Sequence, residues 1–372
     1  MTKFNWQRAV IKIGSALIAP SGDQCSATYL LPIARFITES RAAGKDVVVV
    51  SSGSVAAGRS KIPIHHAASI AEKQAMAAIG QTKMMANWQR FFDDPCAQVL
   101  LTYDDLHDRT RYVNIKNTLR ELLAHNAVPI VNENDTVAVN ELKVGDNDNL
   151  GAYTALVAQA DTLIICSDID GLYTADPRKD ADATLIPVVE HIDESIYGLA
   201  GGAGTALGTG GMRTKIEAAD KCTQSGIQTL IVNGRNSQVF DSLLEGQVQG
   251  TLFKAQQSSE KARSLWLKHT LKTSGWVEVD AGAKKALTQK GASLLPSGVQ
   301  AIGGEFSAGD AIEIRCESQV IAKGLVLYSY SDLEKIKGLK SSDITQVLGF
   351  DLGEEIIHRD DLVLINDGNK EV

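Results

Sequence analysis

The sequence predicts an α/β protein with an open, mainly parallel sheet between helix layers, followed by a small, mainly β C-terminal domain. Three observations carry this expectation. Through the first two-thirds of the 372 residues, strand-sized apolar runs alternate with segments of helical spacing. The run Asp46–Val50 holds four consecutive valines, an unalternated pattern that implies burial on both faces, as in a parallel sheet. After Phe253 the pattern changes to short strands with closely spaced glycines (GWVEVD, GDAIEIRC, AKGLVLYS).

The elements are laid out in order along the chain. Ala9–Ser15 is a short apolar strand entering a glycine turn. Leu30–Ala43 has apolar residues at helical spacing and stops at Gly44, a good C-terminal signal. Asp46–Gly58 is a strand running into a Gly/Ser loop, and the Ala- and Met-rich Ile70–Phe92 reads as a helix. Then come a strand at Gln98–Thr102, a helix at Tyr112–His125, a strand at Val128–Asn132, a helix at Gly151–Gln159 and a strand at Thr162–Ser167. A helix at Thr214–Ser225 and a strand at Thr229–Asn233 close the series. Met76, Met84 and Met85 read as core packing, as do Trp88, Trp266 and Trp276. The polar stretch Ala255–Arg263 looks like a linker. The expected domains are 1–258, a linker over 259–273, a β domain over 274–355 and a tail over 356–372.

Composition narrows the function. The chain is 44% hydrophobic and 22% charged, with a formal net charge of −8, so the whole protein offers no attraction for phosphate backbones. From Ser274 onward there are 10 Lys+Arg against 16 Asp+Glu, which argues against RNA as a partner of the β domain. No apolar run approaches the roughly 18–20 residues of a membrane span, and the first residues lack the apolar core of a signal peptide. The five cysteines (Cys25, Cys96, Cys166, Cys222, Cys316) are scattered and without CxxC spacing, so reduced thiols and a cytoplasmic location are expected. There is no HExxH, and the pair His65–His66 does not make a zinc site. No metal ligand is assigned.

The chemistry must sit in glycine turns and charged loops. A Walker P-loop is absent, since Gly44–Lys45 is followed by Asp46. Gly201–Gly211 contains no GxGxxG and follows no apolar strand, so a Rossmann site is disfavoured. Three other turns precede helices: Lys12–Ala16, Ser51–Arg59 and Gly208–Lys215. Glycines there let backbone N–H groups approach phosphate oxygens, and the helix N-terminus favours anions, although each turn alone also fits an ordinary α/β connection. Lys12 lies in an apolar strand; by itself it could equally be an outward lysine of an edge strand. Lys215 opens a helix, where cations are disfavoured, which hints at an anionic partner. Asn132–Val139 and Lys143–Leu150 are dense in Asp and Asn; such clusters are often turns, but the first one caps a buried strand, where α/β sheets bind ligands. The DxDG at Asp168–Gly171 starts like a calcium loop but places its glycine too early.

Taken together and in order, the segments VIKIGSALI, VVVVSSGSVAAGR, PIVNENDTVA, KVGDNDNL, SDIDGLYTADPR and GTGGMRTK resemble the amino-acid kinase family, most closely its glutamate 5-kinase branch. The likeness spans nearly the whole chain. Lys290–Val299 (KGASLLPSGV) is similar to the start of a PUA domain, which many bacterial members of that branch carry. Ala16 and Ser54 depart slightly from the family pattern, both within small residues.

The resemblance implies ATP-dependent phosphorylation of the γ-carboxylate of L-glutamate, the first step of proline synthesis, with ATP and Mg²⁺ as cofactors. It implies that Lys12 contacts the ATP phosphates, that Lys215 contacts the phosphoryl group in transfer and that Asp148 holds the two lysines. Ser52, Asp135 and Asn147 would bind glutamate. Ser167, Asp168, Thr209, Gly210, Gly211, Met212, Arg213, Thr214 and Lys215 would bind ATP, and Gly14 and Gly53 would offer backbone amides to phosphates. It also implies proline as an inhibitor, a homo-oligomer (dimer or tetramer) and glutamyl phosphate reductase as a partner. Two rival readings keep the fold: a kinase with N-acetylglutamate, aspartate or carbamate as acceptor, and a metabolite sensor without turnover.

Overall fold

The computed structural model describes residues 2–64, 66–138, 147–200, 211–256, 273–350 and 352–365. His65, Lys143 to Asp146, Thr209, Gly210 and Trp266, all singled out from the sequence, lie outside the described residues, as do most of the expected linker and the end of the expected tail. The chain divides into two compact units, Met1–His107 with Ile115–Ser259 and Asp108–Asn114 with Glu260–Val372.

The first unit is built on an eight-stranded sheet. Its strands in chain order are β1 (Arg8–Ile13), β2 (Asp46–Ser51), β3 (Cys96–Leu101), β4 (Val128–Glu133), β5 (Thr162–Ser167), β6 (Val188–Val189), β7 (Gln228–Asn233) and β8 (Thr251–Phe253). Their order across the sheet is β3-β4-β2-β1-β5-β7-β8-β6. All neighbours run parallel except β7 and β8. The apolar runs become strands because both sheet faces are covered: Val47 to Val50 are at most 1% exposed, and β4 and β5 are buried along their whole length.

β1 lies at the middle of the sheet, with Lys12 opposite Val50 of β2 and Ile165 of β5. The edge-strand alternative for Lys12 is thereby removed. The chain leaves β1 toward β2 on one side and later returns to β5 on the other, so the sheet's topological switch point falls between β1 and β5. That is where an open α/β sheet leaves a crevice at its carboxyl ends.

Helices of this unit include α1 (Leu30–Ala42), α2 (Ser54–Arg59), α3 (Ile70–Gln89), α4 (Asn147–Val157) and α5 (Met212–Gln224). α3 starts at a capping box between Ser69 and Glu72. α2 and α3 cross with their backbones in contact. A Cβ on Gly58 would stand 1.9 Å from the Met76 carbonyl oxygen, and one on Gly80 would stand 1.8 Å from that of Ser54. Only glycine fits at either place. Met76, Met84 and Trp88 on α3 are buried as expected, and Trp88 stacks on Phe92. No helix among the described residues is long and apolar enough to cross a membrane.

The second unit holds a five-stranded sheet of β9 (Gly275–Val279), β10 (Val299–Gly304), β11 (Ala311–Cys316), β12 (Gln319–Leu325) and β13 (Leu362–Leu364), in the order β10-β9-β11-β12-β13. Its own core includes Val277, Ile312, Ile314, Tyr328 and Ile356. A helix over Ala281–Lys290 separates β9 from β10, capped by Asp280 on the Ala283 amide and closed by Gly291 at φ 59°. The expectation of a mainly β unit left this helix out. It buries only Leu287, so it carries little apolar periodicity to detect.

Candidate active site

Lys12, Asp148 and Lys215 come together at the switch point. The Lys12 Nζ lies 2.6 Å from Asp148 Oδ1, and the Lys215 Nζ lies 2.9 Å from Asp148 Oδ2. Thr214 Oγ1 lies 3.1 Å from the same Oδ2 and 2.8 Å from the Gly211 carbonyl oxygen, and its single proton can go to either. The Asp148 side chain is fully buried, and the two lysine side chains are 8% and 5% exposed. Burial by itself raises the Asp148 carboxyl pKa, but the ammonium charges of Lys12 and Lys215 and their hydrogen bonds outweigh it and hold the carboxyl below its ordinary value. The group stays ionised at neutral pH. These three side chains by themselves, two cations on one anion, sum to +1, a balance that suits an anionic ligand.

The helix that delivers Asp148 begins earlier than its periodicity suggests. The sequence places a helix from Gly151, whereas α4 starts at Asn147. Asp and Asn suit the first turn, where a carboxylate faces the positive end of the helix. The Asp/Asn cluster is thus partly the start of a helix, with Asn147 and Asp148 adjacent on it.

Gly151 is a site residue that inspection of the sequence missed. A Cβ there would sit 3.2 Å from Lys12 Cβ and 3.3 Å from its Cγ. α4 therefore lies directly on the Lys12 stem, and this closeness lets Asp148 reach the ammonium. Gly151→Val is expected to push α4 away and lower kcat about a hundredfold, the cost of roughly 1 Å of misplacement. Steady-state kinetics with a thermal melt check this; wild-type kcat would refute it. No sequence signal marks Gly151, because the residue it spares lies 139 positions away on another element.

The second group surrounds Ser52. Asn147 Nδ2 donates to Ser52 Oγ at 2.6 Å and to Asn132 Oδ1 at 3.2 Å. Gly53 follows at φ 98°, a left-handed turn that starts α2. Ser54 Oγ donates to Asp135 Oδ2 at 2.7 Å, so Asp135 joins this loop through Ser54, a position read from the sequence as a family departure. Asn132, which opens the Asn132–Val139 cluster but was given no role of its own, and Gln81, which the sequence did not point to, stand behind this group.

The remaining expected residues fall at the ends of β1 and β5 and at the start of α5. Ser167 closes β5 and lies 3.4 Å from the Asp168 carboxylate, which faces Arg235 at 3.7 Å. Gly211 precedes α5 in an extended conformation, and no described side chain caps the first turn of Met212 to Thr214, whose amides suit an anion. The Arg213 side chain turns away to Glu217 at 3.1 Å. Gly14 corrects an expectation: its N–H donates to the Cys166 carbonyl at 3.1 Å, so the sheet already holds that amide. A Cβ at Gly14 would lie 3.5 Å from that carbonyl oxygen and 4.0 Å from Lys12 Nζ, both ordinary contacts, so the packing there does not require glycine.

Among the described residues no group of three or more His, Cys, Asp or Glu side chains could hold a metal. A cavity of 430 Å³ lies elsewhere, against Asp46 and Val47 at the amino end of β2, far from this chemistry.

The model of the amino acid kinase family matches residues 7–233, and that of the PUA domain matches residues 275–348. The PUA match begins at β9, so Lys290–Val299 lies inside it and not at its start. The chain is 54% identical to glutamate 5-kinase of Idiomarina loihiensis, over 98% of this chain and 99% of that one. It is 52% identical to glutamate 5-kinase of Salinibacter ruber, over 97% and 98%. It is 47% identical to glutamate 5-kinase of Xanthomonas euvesicatoria, over 96% and 100%.

Proposed function

The chain belongs to the amino acid kinase family and is an ATP-using kinase, and we propose that its acceptor is the γ-carboxylate of L-glutamate. The observation that carries the kinase chemistry is the buried +1 cluster of Lys12, Asp148 and Lys215. The names of relatives that match both units over nearly their full length support the choice of glutamate.

The acceptor needs no general base, because a carboxylate of pKa about 4.3 is already ionised at neutral pH. An oxygen of that carboxylate attacks the γ-phosphorus of ATP, the bond to the β-phosphate oxygen breaks with its electron pair leaving on ADP, and the product is an acyl phosphate. The obstacle is repulsion between two anions. Lys12 meets it by holding the ATP phosphates and Lys215 by following the phosphoryl oxygens as charge shifts, while Asp148 keeps the two ammonium groups from repelling each other. Ser52, Asn147 and Asp135 hold the acceptor. The residues around Ser167 and Asp168 and the segment ending at Lys215 hold the nucleotide. Magnesium enters as part of the nucleotide substrate, carried on phosphates and water as it commonly is; Asp148 has both oxygens engaged by lysines. Proline acts as a feedback inhibitor at or beside the glutamate site. The chain works as a dimer or tetramer in the cytoplasm and hands its labile product to glutamyl phosphate reductase.

The full chain with ATP, Mg²⁺ and hydroxylamine should form γ-glutamyl hydroxamate from glutamate, with far less product from N-acetylglutamate or aspartate. Added proline should suppress it. Preference for N-acetylglutamate would overturn the acceptor, and turnover indifferent to proline would overturn the inhibition.

A further inference from the structure

Behind Ser52 four amide side chains from four elements form one directed chain. Gln81 of α3 donates through Nε2 to Gln98 Oε1 of β3 at 3.1 Å. Asn132 of β4 donates through Nδ2 to Gln81 Oε1 at 3.0 Å. Asn147 of α4 donates through Nδ2 to Asn132 Oδ1 and to Ser52 Oγ. Gln81 and Asn132 are buried. The close crossing at Gly58 and Gly80 brings Gln81 into this row.

The direction of the chain has a chemical consequence. Each amide gives hydrogen through nitrogen and accepts through oxygen. Asn147 uses both of its N–H bonds, and its Oδ1 has no partner among the described residues. Ser52 Oγ accepts from Asn147, so its own O–H proton is left to give. A group that binds next to Ser52 and Asn147 therefore meets one acceptor oxygen and one hydroxyl donor. An ammonium beside a carboxylate fits that pair, whereas an N-acylated amine has no ammonium to offer.

We infer that Gln81 and Asn132 are positioning residues that lock the Asn147 amide, so that the site selects an acceptor with a free α-ammonium group beside its α-carboxylate. This rests on glutamate being the acceptor. If the Gln81 acceptor is lost, no other side-chain hydrogen bond among the described residues fixes the orientation of Asn132, and its inversion would let Asn147 invert and turn N–H groups toward the ammonium.

Gln81→Met removes the acceptor at similar length. Glutamate KM should rise about tenfold, the worth of one hydrogen bond to a charged group, with kcat and ATP KM near wild type. The preference for glutamate over N-acetylglutamate should fall with it. Gln81→Glu keeps an oxygen facing Asn132, and the exposed Gln98 amide can invert to meet its second oxygen, so glutamate KM should return close to wild type. A merely structural role would lower kcat or thermal stability without this selective KM rise and rescue. If Gln81→Met does not fold, Gln98→Met at the exposed end, which frees the Gln81 amide to invert, should raise glutamate KM with the same selectivity and smaller size. Unchanged glutamate KM in the variants that fold overturns the relay. Failure of the wild type to form a hydroxamate from glutamate overturns the acceptor reading, so the two failures are separable.

Discussion

Lys215→Ala is expected to lower kcat by about 10²–10³, the range for removing one preorganised charge donor from a phosphoryl-transfer site. Glutamate KM should stay within about threefold, because the ammonium acts on charge that grows in the transition state and touches the acceptor little before it. Stability should change little for a buried charge. Lys215 is one of two cations on Asp148, and its removal leaves Lys12 and Asp148 as a neutral pair at 2.6 Å. Steady-state kinetics in both substrates and a urea titration test this. Unchanged kcat would remove Lys215 from the transfer step, and a rise in glutamate KM with kcat intact would move it to the acceptor side.

Asp148→Asn should be more damaging, because it leaves two buried ammonium groups facing a neutral amide. Removing one member of a buried charge cluster costs about 3–5 kcal/mol. Turnover should fall with it, since the lysines lose their common anchor. The pH dependence has a definite sign. The folded carboxyl is held below its ordinary value by the two lysines against the opposing effect of burial. Its contribution to stability is therefore complete above the unfolded value of about 4 and is lost as pH falls through the depressed folded value. The stability gap between wild type and Asp148→Asn should be wide at neutral pH and close on acidification below about pH 4. A gap that does not change with pH would refute the assignment. Adding Lys12→Met to Asp148→Asn should restore part of the stability by removing one stranded charge, but no turnover. Recovery of turnover would show that the cluster is structural only.

The elements that the sequence located well are those whose burial repeats locally. β5 is Thr162–Ser167 in both, and the α1 helix differs by one residue. The elements it missed lack such repetition. β6 and β8 are two and three residues long and owe their place to partners in the sheet. Ala281–Lys290 buries one apolar side chain. The first turn of α4 is polar, so neither periodicity nor hydropathy announces it.

The site divides along the same line. Residue types and their order suffice for the α/β class, the mainly β second unit and the naming of Lys12, Asp148 and Lys215. Each of these is a property of a segment read by itself or by likeness. Whether Lys12 faced solvent at a sheet edge or a carboxylate at the sheet centre was settled only by β1 pairing with β2 and β5 at once. The closeness forced by Gly151, the amide of Gly14 being held by Cys166, and the Gln98–Gln81–Asn132–Asn147 row likewise exist only when distant segments meet. Glycine contacts and hydrogen-bond direction are pairwise and nonlocal, and a linear pattern carries no trace of the partner.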